Sequence, residues 1–348
     1  EPYGNGPFGT LACAGQADIP MSEFWTGRGG RPDLARNVAS VAHIYDRTLV
    51  AAESFTAGPL QARWQNHPFA LKKPGDSMYC AGINRFILHT YAHQPWPDLE
   101  PGMTMGPNGI QMNRGNTWWN QGRSWLTYLS RCQYMLQQGD FVADLCYFTG
   151  EAPPTDLAPE PAPPKGYSYD ACSRHAVMRI MRVYEGEISV RSDTSYKVLA
   201  LNGKRKMSPE LLSKIKDLVA DGATLVGPPP TGAPGLSNYP ESDQKVRTIA
   251  DELWGECDGE KITRNTYEDG AVFWGRPIEE VLSSMDVPPD FEYTAPGAGG
   301  ELQWTHRRTR KEDIYFVSNQ SNRSATYRCT FRVSGRTPYL WHPDTGRT

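Results

Sequence analysis

Leu49-Val50-Ala51-Ala52-Glu53-Ser54-Phe55-Thr56 is a compact apolar run that carries one carboxylate, Glu53, towards a loop. A second run, residues 80–96, reads Cys-Ala-Gly-Ile-Asn-Arg-Phe-Ile-Leu-His-Thr-Tyr-Ala-His-Gln-Pro-Trp. Here a buried-strand pattern is followed directly by histidines, a tyrosine, an amide and a tryptophan. Polar and aromatic groups at the C-terminal ends of consecutive short apolar strands are typical of the active site of a (β/α)8 barrel. The two runs therefore predict an α/β fold of this type.

The flanking segments fit further repeats of such a barrel. Apolar residues recur at helical spacing from Asp33 to Tyr45, which predicts a helix before the first run. We expect residues 1–30, ahead of that helix, to form a loop, because they are rich in glycine, proline and aromatic residues, and residues 17–25 are the densest part of it. The strand over residues 82–88 is expected to follow a loop that contains Trp64, Pro68 and Asp76.

The barrel-like part is expected to end near residue 151. A long helical pattern from Thr117 to Gln138 would be its last helix, and residues 141–148 are strand-like. Residues 1–151 are therefore predicted to be the C-terminal half of a (β/α)8 TIM-type barrel. Residues 152–164 are rich in proline and are expected to be a linker.

Two further regions are predicted beyond the linker. In residues 165–287, a strand at 196–201, a helix with Ser208 as its N-cap and a strand at 223–227 form a βαβ unit, which indicates an open α/β domain of the flavodoxin-like type. No G-x-G-x-x-G or G-x-x-x-x-G-K motif is present, so nucleotide binding is disfavoured. Short alternating strands in residues 288–348 suggest the start of a β-sandwich.

Composition narrows the functional classes. The chain has 348 residues, 39% of them hydrophobic, and a net charge of -3, so neither nucleic acid nor an anionic membrane is an expected partner. No apolar run approaches the roughly 20 residues needed to cross a bilayer. The 10 Trp and 17 Tyr suit a protein that binds sugars or lines an organic pocket, although most of them are expected in the core.

The cysteines and the chain ends are less informative. The seven cysteines are scattered, without zinc-ligand spacing, and their odd number leaves at least one thiol free. The chain begins at Glu1 without Met or a signal peptide and stops in a turn at Thr348, so we expect a fragment that lacks material at both ends.

Several runs together resemble the α-L-rhamnosidases of glycoside hydrolase family 106. In the barrel-like part they are Gly82-Ile83-Asn84-Arg85, His89-Thr90-Tyr91-Ala92-His93-Gln94-Pro95-Trp96, Pro101-Gly102-Met103-Thr104-Met105-Gly106-Pro107 and Thr117-Trp118-Trp119. Near the end of the chain they are Asp313-Ile314-Tyr315-Phe316-Val317-Ser318-Asn319 and Leu340-Trp341-His342-Pro343-Asp344-Thr345-Gly346. The resemblance covers nearly the whole chain and is most specific in residues 49–151.

This resemblance implies an inverting, calcium-dependent glycosidase that removes terminal α-L-rhamnose from plant cell-wall or related glycans. Inversion requires two carboxyl groups, one donating a proton and one activating a water. Glu53 matches one of them. The other lies on an earlier strand in the family and has no match here, so this chain alone is expected to be inactive. A periplasmic or extracellular location follows from the class of substrate.

The resemblance and the residue chemistry suggest further site residues. Glu23 could ligate calcium, because carboxylate oxygens suit a hard cation, or it could be a solvated loop acid. Contacts with sugar are expected from Asn84, His89, Tyr91, His93, Trp96 and Trp119. Each candidate has a structural alternative: Glu53 could hold a loop through a salt bridge, either histidine could be a core residue, and Trp118 fits the buried face of its helix.

Two other functions remain open. A β-galactosidase-like retaining hydrolase shares the order of barrel and α/β domain, but needs carboxyl groups only about 5–5.5 Å apart. A non-catalytic carbohydrate-binding protein would keep the aromatic surface without the chemistry.

Overall fold

The computed structural model of the protein describes residues 9–27, 31–152, 158–295 and 301–348, which form a mixed α/β fold with several small sheets. The α-helices within these ranges are Thr10–Ala14 (α1), Pro32–Tyr45 (α2), Pro59–Ala62 (α3), Pro68–Cys80 (α4), Arg123–Leu136 (α5), Arg174–Arg179 (α6), Pro209–Ala220 (α7), Glu241–Trp254 (α8) and Ile278–Ser284 (α9). The strands of the first half are Met21–Trp25 (β1), Ala51–Thr56 (β2), Arg85–Leu88 (β3), Asp140–Phe141 (β4), Leu145–Phe148 (β5), Tyr169–Cys172 (β6), Arg182–Tyr184 (β7), Glu187–Ser189 (β8) and Ser195–Tyr196 (β9). Those that follow are Val198–Ala200 (β10), Thr224–Val226 (β11), Arg264–Tyr267 (β12), Gly270–Phe273 (β13), Phe291–Thr294 (β14), Leu302–Arg308 (β15), Asp313–Asn319 (β16) and Arg328–Phe331 (β17).

The first sheet consists of β1, β2 and β3, which lie side by side and run parallel. α2 connects β1 to β2, and α3 and α4 connect β2 to β3, so the sheet is built from two consecutive βαβ units. One face of the sheet, with Phe24, Ala52 and Phe86, is buried in a core that also includes side chains of α2, α4 and α5. The opposite face carries Glu23 and Glu53, which are half-buried.

Two of these elements were expected to be loops. β1 falls within residues 17–25. Its burial alternates along the strand, with Ser22 and Phe24 buried and the residues on either side of them half-buried. Such a period of two is expected of a strand with one covered face. α4 occupies the segment around Pro68, which stands at the first helical position. Proline is favourable there, because a backbone N–H at this position would have no partner within the helix. The helix was not predicted because Pro74 and Gly75 lie inside it, and both residues are unfavourable in the interior of a helix.

The second sheet has six strands in the order β12, β13, β11, β10, β5, β6. All neighbours are parallel except β12 and β13. When the five parallel strands are numbered 1 to 5 along the chain, starting with β5, their order across the sheet from β6 is 2-1-3-4-5. This is the strand order of flavodoxin-like sheets. The βαβ unit expected here is confirmed as β10, α7 and β11, and the Ser208 hydroxyl accepts from the Leu211 N–H at the start of α7.

The predicted strand over residues 141–148 is two separate strands. β5 belongs to the second sheet, whereas β4 pairs with β15 in a third sheet. Asp144, between them, accepts the backbone N–H groups of Lys197 and Val198 through its carbonyl oxygen. The chain therefore passes from one sheet to the other within four residues, and β5 is not part of the sheet that carries Glu53.

The remaining strands form three small antiparallel sheets. β15 pairs with β16 over its full length and with β4 at one end, and β14 pairs with β17. β7, β8 and β9 form the last sheet. In the described parts of the chain no disulfide is present and no helix is both long and apolar enough to span a membrane.

Candidate active site

A β-bulge in β2 positions Glu53. Glu23 of β1 lies opposite Glu53, but Trp25 lies opposite Thr56, so β2 contains one residue more than its neighbour. Phe55 lies in the bulge and has a positive φ of 61°. Its buried ring packs edge-on against Phe24. Bulges re-aim side chains and are frequent next to active sites.

The bulge brings a hydroxyl to the Glu53 carboxylate. In a regular strand, residues three apart point to opposite faces. Here the Thr56 hydroxyl donates to Glu53 Oε1 at 2.6 Å. The side chain of Glu53 remains 27% exposed, so its carboxylate is held by the protein and still open to a ligand.

His89 completes this group from the end of β3. Its Nε2 lies 4.0 Å from Glu53 Oε1, and its backbone N–H donates to the carbonyl of Ser54, which anchors it beside β2. The His89–Thr90 peptide bond is cis. His89 Nδ1 is buried and has no hydrogen-bond partner among the described residues. A carboxylate and an imidazole within reach of one another are groups that can activate a water or bind a sugar hydroxyl.

Gly109 lies directly against His89. Its φ is 84°, and a Cβ at this position would lie 3.0 Å from His89 Nδ1. Its backbone N–H donates to the carbonyl of Ala57, and the next residue, Ile110, donates its N–H to the carbonyl of His89. The segment that begins at Gly109 therefore closes one side of the group formed by Glu53 and His89, and it requires glycine to do so.

Glu23 is closer to Glu53 than the sequence suggested. It lies on β1 rather than in a loop, in register with Glu53 on the adjacent strand. Neighbouring strands are about 4.8 Å apart, so the two side chains begin from backbone positions that lie side by side. The same face of the sheet thus carries both acids.

These acids do not form a complete calcium site. Ca²⁺ takes six to eight oxygen ligands. Within the ranges that the structure describes, no group of three or more His, Cys, Asp or Glu side chains could hold a metal ion. Glu23 and Glu53 supply two carboxylates at most.

Three of the expected sugar-binding residues lie on the loop after β3. Tyr91, His93 and Trp96 are exposed on this loop. Gln94 holds the loop together, because its side chain donates to the carbonyl of Met103 and accepts the N–H of the same residue. All three rings follow His89 in the chain, after the C-terminal end of β3.

Asn84 has a structural role instead of the expected contact with sugar. It is 1% exposed, and its side chain accepts the N–H of Val50 and donates to the carbonyls of Thr48 and Leu136. Each of its polar atoms is therefore engaged by backbone. The sequence did not distinguish this buried amide from a ligand-binding one.

Trp119 lies beside α5. It belongs to a short 3₁₀ helix, Trp119–Gln121, that precedes α5, so the predicted helix from Thr117 begins later, at Arg123. Trp119 lines a shallow groove along α5 together with Leu126 and Tyr134. Trp118 packs edge-on against Trp125 and donates its indole N–H to the carbonyl of Asn66, in agreement with a core position.

Sequence inspection missed Thr56 and Gly109. Thr56 contacts Glu53 only because the strand is bulged, and no pattern of apolar residues reveals a bulge at a phenylalanine. Gly109 could not be told apart from the other glycines and prolines of residues 101–109.

Comparisons with known proteins bear on this arrangement. Residues 7–348 match the alpha-L-rhamnosidases of glycoside hydrolase family 106. A protein of Formosa agariphila described as a putative beta-glucuronidase is 37% identical over 348 residues, which are 99% of this chain and 28% of that protein.

Solved structures agree with the family match. The rhamnosidase from Novosphingobium sp. PP1Y superposes with a TM-score of 0.89 and 35% identity over 97% of this chain and 32% of that chain. An exo-carrageenase of Bacteroides ovatus, at 8% identity and a TM-score of 0.51 over 86% of this chain and 39% of that one, shares the fold alone. The chain thus spans about a third of the length of these relatives. The match over nearly all of its residues confirms the resemblance drawn from the sequence, and the chain belongs to glycoside hydrolase family 106, the α-L-rhamnosidase family.

Proposed function

We propose that the protein hydrolyses terminal α-L-rhamnosyl linkages in plant cell-wall or related glycans with inversion, and that Glu53 is one of its two catalytic carboxylates. Membership of a glycosidase family implies a carbohydrate substrate. The observation that carries the assignment is the position of Glu53 in the parallel strand β2, just before the bulge near the end of that strand, held by Thr56 and 4.0 Å from His89. Catalytic residues of β/α barrels come from the C-terminal parts of several strands.

The geometry of Glu53 supports the role of general base. Thr56 engages one carboxylate oxygen and fixes the side chain, so that the other oxygen can accept a proton from water. His89 Nε2 is close enough to bind a hydroxyl that also contacts Glu53. We assign His89 to substrate binding, together with the exposed rings of Tyr91, His93 and Trp96.

The fold proposed for this part is half of a (β/α)8 barrel. The two consecutive βαβ units of β1, β2 and β3 support it, as does the position of Glu23 and Glu53 on the face opposite the helices, which would be the barrel interior. In this arrangement the second catalytic carboxylate comes from an earlier strand, and the 348-residue chain by itself would be inactive. The flavodoxin-like order of the second sheet and a β-sandwich near the C-terminus complete the proposed architecture.

A retaining β-glycosidase is the second candidate. Glu23 and Glu53 are paired on adjacent strands, so two carboxylates stand on the same face of the sheet, and a retaining enzyme uses such a pair at close range. The relative described as a putative beta-glucuronidase adds weight to it. In that case Glu23 would act in the reaction and would not be a calcium ligand.

One assay separates the two candidates. The full-length protein that contains this chain is incubated with an aryl α-L-rhamnoside, an aryl β-D-glucuronide and an aryl β-D-galactoside, and the anomer released first is followed by proton NMR. We expect β-L-rhamnose from the rhamnoside alone. Release of glucuronic acid or galactose with retention would replace the proposal by the second candidate. Sugar binding without turnover would favour a non-catalytic carbohydrate-binding protein.

Calcium dependence is part of the proposal, because the family resemblance implies it. Glu23 would supply one carboxylate, and further oxygen ligands would be needed. Activity is expected to disappear with a chelator and to return with Ca²⁺. A periplasmic or extracellular location is proposed from the size of the glycan substrates.

A further inference from the structure

The outer face of α5 forms a groove that shares no lining residue with the group formed by Glu53 and His89. Its volume is about 640 Å³, and its lining residues lie on one stripe of α5 and on the short 3₁₀ helix before it. The stripe runs from Arg123 to Tyr134, which is about 17 Å along the helix axis at about 1.5 Å per residue. The groove is therefore longer than a single sugar ring and suits a chain of sugars.

The segment that contains this groove has a one-sided charge. Residues 101–139 include three arginines and no lysine, Asp or Glu, whereas the average of the chain, 39 acids in 348 residues, would place about four acids there. Two of these arginines, Arg123 and Arg131, line the groove. Within the described ranges neither guanidinium forms an ion pair with a carboxylate. The groove is therefore positively charged and attracts anionic groups.

Arg131 is held in place without losing its charge. Its Nη1 donates to the backbone carbonyls of Pro343 and Asp344, which fix the side chain but do not neutralise it. Arg123, one end of the stripe, is exposed. A guanidinium presents its donors as a planar fork that matches carboxylate and phosphate oxygens, and a sulfate ester offers oxygens in the same tetrahedral arrangement as phosphate.

Aromatic and hydroxyl groups complete the groove. Tyr134 is 67% exposed and Trp119 is half-buried, so both rings can be reached from solvent. Aromatic faces pack against the apolar C–H face of a sugar ring. Asn120, Thr127 and Ser130 lie between the charged and aromatic residues and can exchange hydrogen bonds with sugar hydroxyls.

We propose that the α5 groove binds an anionic glycan chain, with Arg123 and Arg131 contacting its carboxylate or sulfate groups and Trp119 and Tyr134 stacking on its sugar rings. The inference rests on the carbohydrate substrate of the proposed function, because a basic groove with aromatic rings alone would also suit other polyanions. It does not depend on the chemistry at Glu53. It adds a site that holds the protein on an acidic polymer while linkages are cleaved elsewhere.

Polymers that differ in charge test this site. The full-length protein is titrated calorimetrically with polygalacturonate and its methyl-esterified form, and with dextran sulfate and unmodified dextran. We expect at least one anionic polymer to bind at least tenfold more tightly than its uncharged counterpart, and to bind more weakly as salt is added. The anionic polymer that binds more tightly identifies the preferred group as carboxylate or sulfate. Equal affinity for the charged and uncharged forms would overturn the inference.

Two substitutions locate the binding in the groove. Arg123→Gln and Tyr134→Ala are each expected to weaken binding of the anionic polymer about three- to tenfold, through loss of a charge-assisted hydrogen bond and of a stacked ring. Arg247→Gln on α8 and Tyr184→Ala on β7 alter exposed residues of the same types and should change the affinity by less than twofold. Wild-type affinity in either groove variant would overturn the inference.

Hydrolysis of an aryl α-L-rhamnoside separates this groove from the site at Glu53. The substrate carries no anionic group, so its kcat/KM in Arg123→Gln and Tyr134→Ala should stay within twofold of wild type. Equal losses of hydrolysis and of polymer binding would overturn a separate site. If the wild-type protein does not cleave the rhamnoside, the proposed function fails, and the titrations still decide whether the groove binds glycan.

The alternative is a groove covered by another part of the full-length protein or by a second copy. In that case Arg123→Gln would lower the unfolding temperature relative to Arg247→Gln and would leave polymer binding unchanged. This result would overturn the proposal and make the α5 groove a protein interface.

Discussion

At the scale of single residues, Glu53 is the side chain on which the proposed activity depends. Glu53→Gln keeps the shape of the side chain and removes the ionisable group, so kcat on α-L-rhamnosides should fall roughly 10²- to 10⁴-fold. Substrate binding and the unfolding temperature should be almost unchanged. Steady-state kinetics and thermal unfolding of the full-length protein would measure both.

A matched control for this substitution is available. Glu279 is an exposed acid on α9, and Glu279→Gln should leave kcat at the wild-type value. More than a tenth of wild-type activity in Glu53→Gln would remove Glu53 from the catalytic machinery.

Thr56 provides a second test at this scale. Its hydroxyl donates to Glu53 Oε1 at 2.6 Å, and Thr56→Val removes that donor while keeping the β-branched shape. We expect kcat to fall about tenfold with little change in KM, since loss of one charge-assisted hydrogen bond releases the carboxylate from its position. Thr56→Ser, which retains the hydroxyl, should recover most of the rate. If the serine variant were as impaired as the valine variant, the hydroxyl would have no positioning role.

The site residues show what sequence can and cannot predict at this scale. Glu53 and His89 were expected at the site because polar groups there accompany apolar runs, and the structure brings them within 4.0 Å of each other, although Glu53 lies inside β2 and not after it. Asn84 was expected at the site by the same argument, but an amide at the start of a strand is as well suited to bridging backbone groups of its neighbours. The backbone groups of Val50, Thr48 and Leu136 that surround Asn84 in the structure decide between a sugar contact and a structural role.

At the scale of elements, Asn84 ties β2, β3 and the end of α5 together. Asn84→Ala would leave the Val50 N–H and the Leu136 carbonyl without this partner in a buried place, and the Thr48 carbonyl without it in a partly buried one. Unpaired buried groups cost about 1–3 kcal/mol each, with partial relief by water, so we expect a loss of about 2–4 kcal/mol in the free energy of unfolding.

Denaturant unfolding would measure this loss. Asn322→Ala, at an exposed position in the turn after β16, should change the free energy of unfolding by less than about 0.5 kcal/mol. Equal stability of the two variants would mean that the amide of Asn84 contributes nothing to the junction.

The elements that were predicted correctly have a regular pattern and clear ends. α7 begins at a serine cap followed by proline, and α2 carries apolar residues at helical spacing. β1 and α4 were missed for opposite reasons, because β1 is only five residues long and α4 contains proline and glycine. The division of residues 141–148 between two sheets depends on partners distant in sequence, which no local pattern specifies.

At the scale of the whole molecule, α2 connects the first and second sheets. Its apolar residues divide between two cores: Ala35, Val38, Ala39 and Ala42 pack with the first sheet, and Val41, Ile44 and Tyr45 pack with the second. Its polar residues are buried too. Ser40 accepts the backbone N–H of Ala171, and His43 Nδ1 donates to Asp170, both on β6. The polar face of α2 is therefore an interface between sheets and not a solvated surface.

This interface predicts a dependence of stability on pH. Burial lowers the pKa of His43 from 6.5, although the charge and hydrogen bond of Asp170 act in the opposite direction. The imidazole is thus neutral in the folded protein where it would take up a proton in the unfolded chain. Because the unfolded state binds more protons below pH 6.5, the free energy of unfolding should fall as the pH drops through this value, by up to about 1.4 kcal/mol per pH unit.

His43→Gln isolates this effect, because the amide can still donate to Asp170 but does not titrate. The difference in unfolding free energy between wild type and His43→Gln should be constant above about pH 7.5 and should shift in favour of the variant as the pH falls towards 5. His67→Gln alters an exposed histidine and should follow the wild-type curve. If the difference between wild type and His43→Gln did not change over this range, His43 would have the same protonation state in the folded and unfolded chains. Burial between α2 and β6 would then not be what determines its charge.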